Sequence, residues 1–138
     1  MGRTTEKVRI QNYGDVFNAA SGTLKSDQVR TADVLGLVDT GATYLCLSPA
    51  VIQQLGLLYS HSERVRTANG GVQRRIFRAA EITIRERSIV MSVMENDEDT
   101  PPLIGYVVLE TLDFVVDPKG ENLVPNPAHD GEWVADLY

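Results

Sequence analysis

The chain has 138 residues, a formal net charge of −6 and 43% hydrophobic residues, which fits one ordinary globular domain. Its net acidity disfavours nucleic acid as a main partner, because phosphate binding requires a basic face. No run approaches the roughly 20 apolar residues of a membrane-spanning helix, and the N-terminus lacks the apolar segment of a secretion signal. Since the single cysteine, Cys46, cannot form an internal disulfide, we expect a soluble, cytoplasmic protein that contacts no membrane.

The first half of the chain is patterned mainly as β-structure. Residues 7–13 alternate between apolar and polar side chains and predict a first strand. Residues 14–22 contain glycine, asparagine and serine, which predicts a loop. Residues 29–39 and 43–48 predict two further strands, the first of which becomes continuously apolar, as a buried strand does. Residues 49–56 begin with proline and end with glycine, and this punctuation predicts a short helix.

The second half is dominated by hairpin patterns. The strongest of them centres on Asn69, Gly70 and Gly71, residue types that accept the positive φ of a tight turn. The predicted elements are, in order, a hairpin at residues 64–77, a second hairpin at 79–94, an acidic loop at 95–102, a short buried strand at 103–105, a short helix at 106–112 and a last hairpin at 113–125.

These elements predict an all-β fold, a closed or orthogonal β-barrel with one or two short helices. No low-complexity segment or long linker divides the chain, so we expect residues 1–138 to form a single domain. Its core would span about residues 7–127. The sequence pattern does not determine where the tail, residues 128–138, is placed.

One carboxylate stands at the end of a predicted buried strand, at Asp39 in the sequence LVDTGAT. Burying a carboxylate is costly unless it is paired or hydrogen-bonded. One interpretation is a structural turn in which Asp39 accepts hydrogen bonds from nearby backbone N–H groups. The other is acid–base chemistry, which needs an apolar strand delivering the acid, a glycine allowing close approach, and small or hydroxyl residues after it. LVDTGAT satisfies the requirements of both interpretations.

The motif and the order of elements after it resemble the retropepsin-like single-domain aspartic proteases. In that family the acid motif is followed by a strand and turn, a hairpin flap, and an apolar-apolar-glycine element that leads into a short helix. The corresponding segments here are TYLCLSPAVIQQLGL, the hairpin around Asn69-Gly70-Gly71, and LIGYVVLETLDFVVDP. A leucine-glutamate-x-leucine helix followed by valine-aspartate-proline is most similar to the small prokaryotic branch of the clan. The resemblance covers roughly residues 7–127.

The resemblance implies roles for three groups of residues. Asp39 would be the catalytic acid, supported by a loop in which Thr40 hydrogen-bonds across a two-fold axis and Gly41 lets backbone amides approach the acids. The hairpin tip would be a flap that closes over the substrate and excludes water. The residues assigned in this way are Thr40, Gly41 and Ala42 in the loop, Ala68, Asn69, Gly70 and Gly71 in the flap, and Leu103, Ile104 and Gly105 beneath the loop.

The resemblance also implies an aspartic endopeptidase that acts as a homodimer on peptide or protein substrates. A C₂ dimer would bring two Asp39 side chains together. Two carboxylates about 3 Å apart cannot both ionise, so they share one proton. One then activates a water as general base while the other polarises the scissile carbonyl, and no cofactor is required. The alternatives are a retropepsin-like module that binds peptide or dimerises without catalysis, and a precursor that needs N-terminal trimming.

The other chemistry-bearing residues are interpreted as structural, and we expect no metal site. The acidic residues 95–99 lack the ligand spacing and the glycine of a calcium loop. His61 and His129 lie far apart, without the carboxylate spacing of zinc enzymes. Cys46 alternates with leucines in an apolar strand, which predicts a buried thiol rather than a nucleophile.

Overall fold

A computed structural model describes residues 3–137, and strands dominate that part of the chain. Its strands are β1 (Thr5–Asn12), β2 (Thr31–Val38), β3 (Leu45–Leu47), β4 (Leu58–Thr67), β5 (Gly70–Ile84), β6 (Arg87–Glu95), β7 (Leu103–Ile104), β8 (Phe114–Asp117) and β9 (Asn122–Pro125). Its helices are α1 (Tyr13–Ala20), α2 (Pro49–Leu55) and α3 (Tyr106–Leu112), with 3₁₀ turns at Ser26–Gln28 and Pro127–His129.

Seven strands form one sheet in the order β1-β2-β7-β3-β6-β5-β4. Because β1 also pairs with β5, six of these strands close into a ring of pairings, and β4 lies outside it on β5. Strands β8 and β9 form a separate hairpin. The all-β architecture predicted from the sequence is confirmed.

The core lies inside the ring, where alternate side chains of each strand are buried. On β1 and β5, for example, Val8, Ile10, Ile82 and Ile84 are at most 1% exposed. Helices α2 and α3 add apolar side chains to the same cluster, namely Ile52, Leu55, Val108, Leu109 and Leu112. The closed core gives the strand ends around it a rigid support.

Helix α1 occupies the segment predicted as a loop, so that prediction is wrong, and the described chain has three α-helices rather than one or two. The side chain of Asn12 caps the helix by accepting a hydrogen bond from the N–H of Asp15 at 3.1 Å. Asn12 also donates to the carbonyl of Leu55 at 2.9 Å, and Asp15 forms an ion pair with Arg30 at 2.8 Å. These tertiary contacts outweigh the loop-forming composition of residues 14–22.

The predicted hairpins are all present. β4 and β5 are joined by a two-residue turn, because Thr67 pairs with Gly70, which has a φ of 107° that favours glycine. The second hairpin turns at residues 85–86, between β5 and β6, and the third joins β8 to β9. Strand β5 therefore serves two hairpins, and a register shift between Phe77 and Ala80 separates the 64–77 hairpin from the part of β5 that pairs with β1.

The C-terminal tail docks on its own chain. The buried guanidinium of Arg87 donates to the carbonyls of Leu112 and Asp113 at 2.8 and 3.1 Å, and to the carbonyl of Gly131 in the tail at 3.0 Å. The indole N–H of Trp133 donates to the carbonyl of Thr111 at 2.9 Å. The tail is thereby placed against the end of α3.

Asp113 is the second anchor of the tail. Its side chain is only 8% exposed, and Oδ2 lies 2.6 Å from Nδ1 of His129 and accepts from the N–H of Val134 at 3.1 Å. The side-chain amide of Asn126 donates to Oδ1 at 3.2 Å. His129 above all, together with these N–H donors, lowers the pKa of Asp113 from its ordinary value. The ionised carboxylate is therefore the form that holds the tail.

The lowered pKa makes tail docking pH-dependent. A carboxylate with a lower pKa in the folded state stabilises the fold above its ordinary pKa, about 3.9 for aspartate, and loses that contribution as the pH falls through the folded value. Acidification should therefore release the tail and shift the emission of Trp133, the only tryptophan, to the red. Asp113→Asn should release the tail already at neutral pH and flatten this acid transition.

Asp130→Asn is a matched control, because Asp130 is exposed and has a positive φ of 52°, close to the 61° of Asp113. Asparagine tolerates this conformation at both positions. The control should keep the wild-type pH curve. An Asp113→Asn protein whose Trp133 emission follows the wild-type curve would contradict the role of Asp113.

Candidate active site

Asp39 follows β2 on a turn that its own carboxylate closes. Oδ1 accepts a hydrogen bond from the N–H of Gly41 at 2.9 Å, and the carbonyl of Asp39 accepts from the N–H of Ala42 at 3.0 Å. The N–H of Asp39 donates to the carbonyl of Ile104 at 3.0 Å. Among residues 3–137, Oδ2 accepts no hydrogen bond. The Asx turn is therefore present, and it orients the carboxylate through Oδ1.

The segment predicted to support the acid turn, residues 103–105, lies directly beside that turn. Strand β7 lies between β2 and β3, with Leu103 beside Leu37 and Ile104 beside Val38 and Leu45. The first turn of α3 continues the contact, because the N–H groups of Tyr106 and Val107 donate to the carbonyls of Ala42 and Thr43 at 2.8 and 3.2 Å. The acid turn is therefore fixed from below by backbone bonds.

Gly105 makes this close approach possible. A Cβ atom at Gly105 would lie 2.3 Å from the carbonyl oxygen of Tyr44 and 2.6 Å from that of Thr43. Both neighbours are backbone atoms, which cannot move aside as a flexible side chain can. Only a glycine lets β7 and α3 lie this close to the acid loop.

A cleft of about 470 Å³ separates the acid turn from the β4–β5 hairpin. Asp39, Gly41 and Ala42 line one side. The hairpin side is lined by the stem of the hairpin, residues 63–67 together with Val72 and Arg74. A larger depression of about 690 Å³ lies elsewhere, around the exposed Arg9–Asp33 ion pair, and does not include Asp39. Of these two depressions, the smaller cleft is the one that the acid turn and the hairpin share, and it is therefore the candidate site.

The four residues predicted as the flap, Ala68, Asn69, Gly70 and Gly71, form the exposed tip of the hairpin. Thr67 stabilises the tip: its hydroxyl donates to the carbonyl of Gly70 at 2.6 Å and accepts from the N–H of Asn69 at 3.2 Å. In the single chain the stem rather than the tip borders the cleft. Residues 68–71 are absent from the lining of the cleft, although the adjacent Thr67 borders it.

A hydrogen-bonded group that sequence reasoning missed ties the hairpin stem to the acid loop. The hydroxyl of Tyr44 donates to Oε2 of Glu63 at 2.7 Å, and Nε2 of His61 lies 2.7 Å from the same oxygen. His61 and Tyr44 lower the pKa of Glu63, and burial together with Glu63 raises the pKa of Tyr44 to about 12. The one sequence signal was the spacing of His61 and Glu63 on one face of a strand.

Thr40 and Cys46 lie on opposite sides of the acid turn. Thr40 is exposed and borders, with Asp39, a second depression of about 390 Å³ that Arg3 and Val116 also line. Cys46 is fully buried, as predicted, and burial above all raises the pKa of its thiol to about 11. The thiol therefore stays protonated at neutral pH and is a poor nucleophile.

Two other kinds of site receive no support from the described chain. Between residues 3 and 137, no group of three or more His, Cys, Asp or Glu side chains is arranged to hold a metal ion. With eight residues at most, the helices in this range are too short to cross a membrane.

Comparisons with known proteins identify the family. The family described as "gag-polyprotein putative aspartyl protease" matches residues 28–111, more than half of the chain, which therefore belongs to this aspartyl protease family. A solved structure of EIAV protease complexed with the inhibitor HBY-793 matches with a TM-score of 0.52 and 18% identity, over 79% of this chain and 86% of that one. No curated protein matches significantly. The retropepsin-like fold expected from the sequence is confirmed, and family and fold together support protease function in general.

Proposed function

We propose that the protein is an aspartic endopeptidase that acts as a C₂ homodimer, with Asp39 of each protomer as the catalytic acid. The observation that carries the proposal is the position of Asp39, at the edge of a cleft with one carboxylate oxygen held by Gly41 and the other unbonded within the described chain. If Asp39 served only to accept hydrogen bonds within its turn, an acid at the edge of a cleft would not be required.

The homodimer follows from the chemistry of peptide hydrolysis. One acid per chain supplies either a base or an acid, whereas the reaction needs both at once. Two Asp39 side chains brought together by a two-fold axis would share a proton, so that one activates water and the other polarises the scissile carbonyl. Because Asp39 and the exposed Thr40 lie together at the surface, a second copy can reach them without any rearrangement of the core.

The loop and the hairpin would then have supporting roles. Gly41 fixes the orientation of the Asp39 carboxylate through its N–H, and Ala42 joins the turn to α3. Residues 68–71 at the hairpin tip would cover the bound peptide once a second protomer completes the cleft. A covered cleft strengthens the interaction of the acids with the developing charge, because water is excluded.

Activity at different protein concentrations tests the proposal. Hydrolysis of a mixed peptide library at acidic pH should rise more steeply than linearly with protein concentration, in parallel with dimer formation in sedimentation experiments. A pepstatin-type inhibitor, which resembles the tetrahedral intermediate, should block hydrolysis, while a metal chelator should not.

Two results would overturn the proposal. The first is full activity in a strictly monomeric protein. The second is a stable dimer that binds peptides from the library and cleaves none, which would instead support a non-catalytic peptide-binding module. If activity appears only after loss of N-terminal residues, detected by mass spectrometry, the protein is a precursor of the same peptidase.

A further inference from the structure

Arg74 lies on the face of the β4–β5 hairpin that borders the Asp39 cleft. Side chains alternate along a strand, and the pairs Val65–Val72 and Glu63–Arg74 lie side by side on this face. The side chain of Arg74 is 27% exposed, and it lines the cleft together with Asp39. The charge of Arg74 is therefore presented to whatever occupies the cleft.

The interactions of Arg74 within the chain leave most of its hydrogen-bonding capacity unused. Its Nη2 reaches Oδ2 of Asp97 at 3.4 Å, and the Asp97 side chain is 71% exposed. An exposed, single contact of this kind contributes little. Glu63, its neighbour across the hairpin, has Oε2 engaged by Tyr44 and His61. A guanidinium has five N–H donors, so a second, bidentate acceptor can still bind.

Arg75, the next residue on the same strand, is an arginine that is already paired with a carboxylate. It points to the opposite face and makes two hydrogen bonds, of 2.8 and 2.7 Å, to the two carboxylate oxygens of Glu95. The fork of Arg75 is thus occupied by one carboxylate in the matching planar geometry. Arg74, which lines the cleft, has the same donors and no such bidentate partner among the described residues.

Arg74 is also close enough to the acid turn to act on the same ligand. Asp39, Arg74 and the buried Cys46 all line the cleft. The two charges act on the thiol of Cys46 in opposite directions, since Asp39 raises its pKa and Arg74 lowers it. A peptide that fills the cleft over Asp39 therefore also lies beside Arg74.

We propose that Arg74 determines specificity by binding an aspartate or glutamate side chain of the peptide that occupies the Asp39 cleft. This inference rests on the proposed function for its substrate class. A carboxylate is the planar, bidentate acceptor that a guanidinium binds best. The net charge of −6 repels acidic peptides at long range, so a preference for them requires a local cation.

The test is a mixed peptide library cleaved by the wild-type protein, Arg74→Gln, Arg74→Glu and the control Arg75→Gln. Wild-type and Arg75→Gln cleavage sites should be enriched in Asp or Glu at one fixed position relative to the cut. Two matched peptides carry Glu or Gln at that position. Arg74→Gln should lower the ratio of kcat/KM for the Glu peptide to kcat/KM for the Gln peptide about 10- to 100-fold. Arg74→Glu should move the preference at this position to Lys or Arg.

Binding of the same library to Asp39→Asn, and to Asp39→Asn combined with Arg74→Gln, separates this inference from the proposed function. Acid-enriched binding that needs Arg74, without any cleavage by the wild-type protein, would support the role of Arg74 and overturn catalysis. Cleavage without acid enrichment, or enrichment that survives Arg74→Gln, would overturn the role of Arg74 and leave catalysis standing. If the protein shows no cleavage and no acid-enriched binding, both proposals are overturned.

Discussion

Asp39→Asn is expected to abolish peptide hydrolysis, with a loss in kcat of about 10⁴-fold or more, because the residue supplies both members of the proposed acid pair. The fold should be unaffected. The asparagine Oδ1 can still accept the N–H of Gly41, at 2.9 Å in the wild type, so the acid turn keeps its shape. Hydrolysis rates, circular dichroism and sedimentation of the purified variant check these three expectations.

Asp33→Asn is the matched control. Asp33 lies on β2, the strand that leads to Asp39, and its exposed side chain pairs with Arg9 at 2.9 Å, away from the cleft. The Asp33→Asn substitution changes the net charge by the same amount as Asp39→Asn, and the variant should retain peptide hydrolysis. Substantial residual activity in Asp39→Asn, after contaminating peptidases have been excluded, would refute the assignment.

Mixing the wild-type protein with the Asp39→Asn variant gives a second test of the same assignment. If the site needs one Asp39 from each protomer, an excess of Asp39→Asn should draw wild-type chains into dimers with a single acid. The activity of a fixed amount of wild-type protein should then fall as the variant is added, whereas added Asp33→Asn should raise it. Constant activity across the titration would mean that each chain acts alone.

Gly105→Ala is expected to have the largest effect on stability. Its Cβ would lie 2.3 Å from the carbonyl oxygen of Tyr44, so β7 and α3 must move away from the acid loop. Overpacking of this kind costs about 3 kcal/mol, which corresponds to a fall in Tm of about 10 °C for a chain of this size. Because Ala42 and Thr43 are bonded to α3, hydrolysis should be lost with the displaced turn.

Gly22→Ala tests whether the effect comes from the close approach. Gly22 has a positive φ of 86° and open space where a Cβ would be added. The substitution should therefore cost only about 1 kcal/mol, from backbone strain. Thermal unfolding of both variants is the measurement, and a Gly105→Ala protein as stable as the wild type would disprove the packing argument.

The acid turn and the hairpins could be predicted because their determinants are neighbours in the sequence. The Asx turn needs only Asp39 and Gly41, and the β4–β5 turn needs only the residues beside Gly70. Helix α1 could not be predicted in this way. Its cap, Asn12, is held by the carbonyl of Leu55, far along the chain, and local composition does not record that contact.

The same limit applies to the tail and to the wall of the cleft. The tail is held by Arg87, which the sequence pattern places simply near the turn of a hairpin, and by the hydrogen bond from Trp133 to Thr111 of α3. The Tyr44–Glu63 hydrogen bond joins two segments whose spacing in the sequence has no helical or strand period. Such contacts depend on how the ring closes, and a single sequence contains no direct signal for that.

Strand β5 has a consequence for how ligand binding can be detected. Its first half forms the wall of the cleft, whereas Ile82 and Ile84 in its second half are fully buried in the ring. A ligand held by the first half therefore restrains the strand that also carries the core. Occupancy of the cleft should accordingly raise the unfolding temperature of the whole chain and slow amide exchange in β6, which pairs with β5.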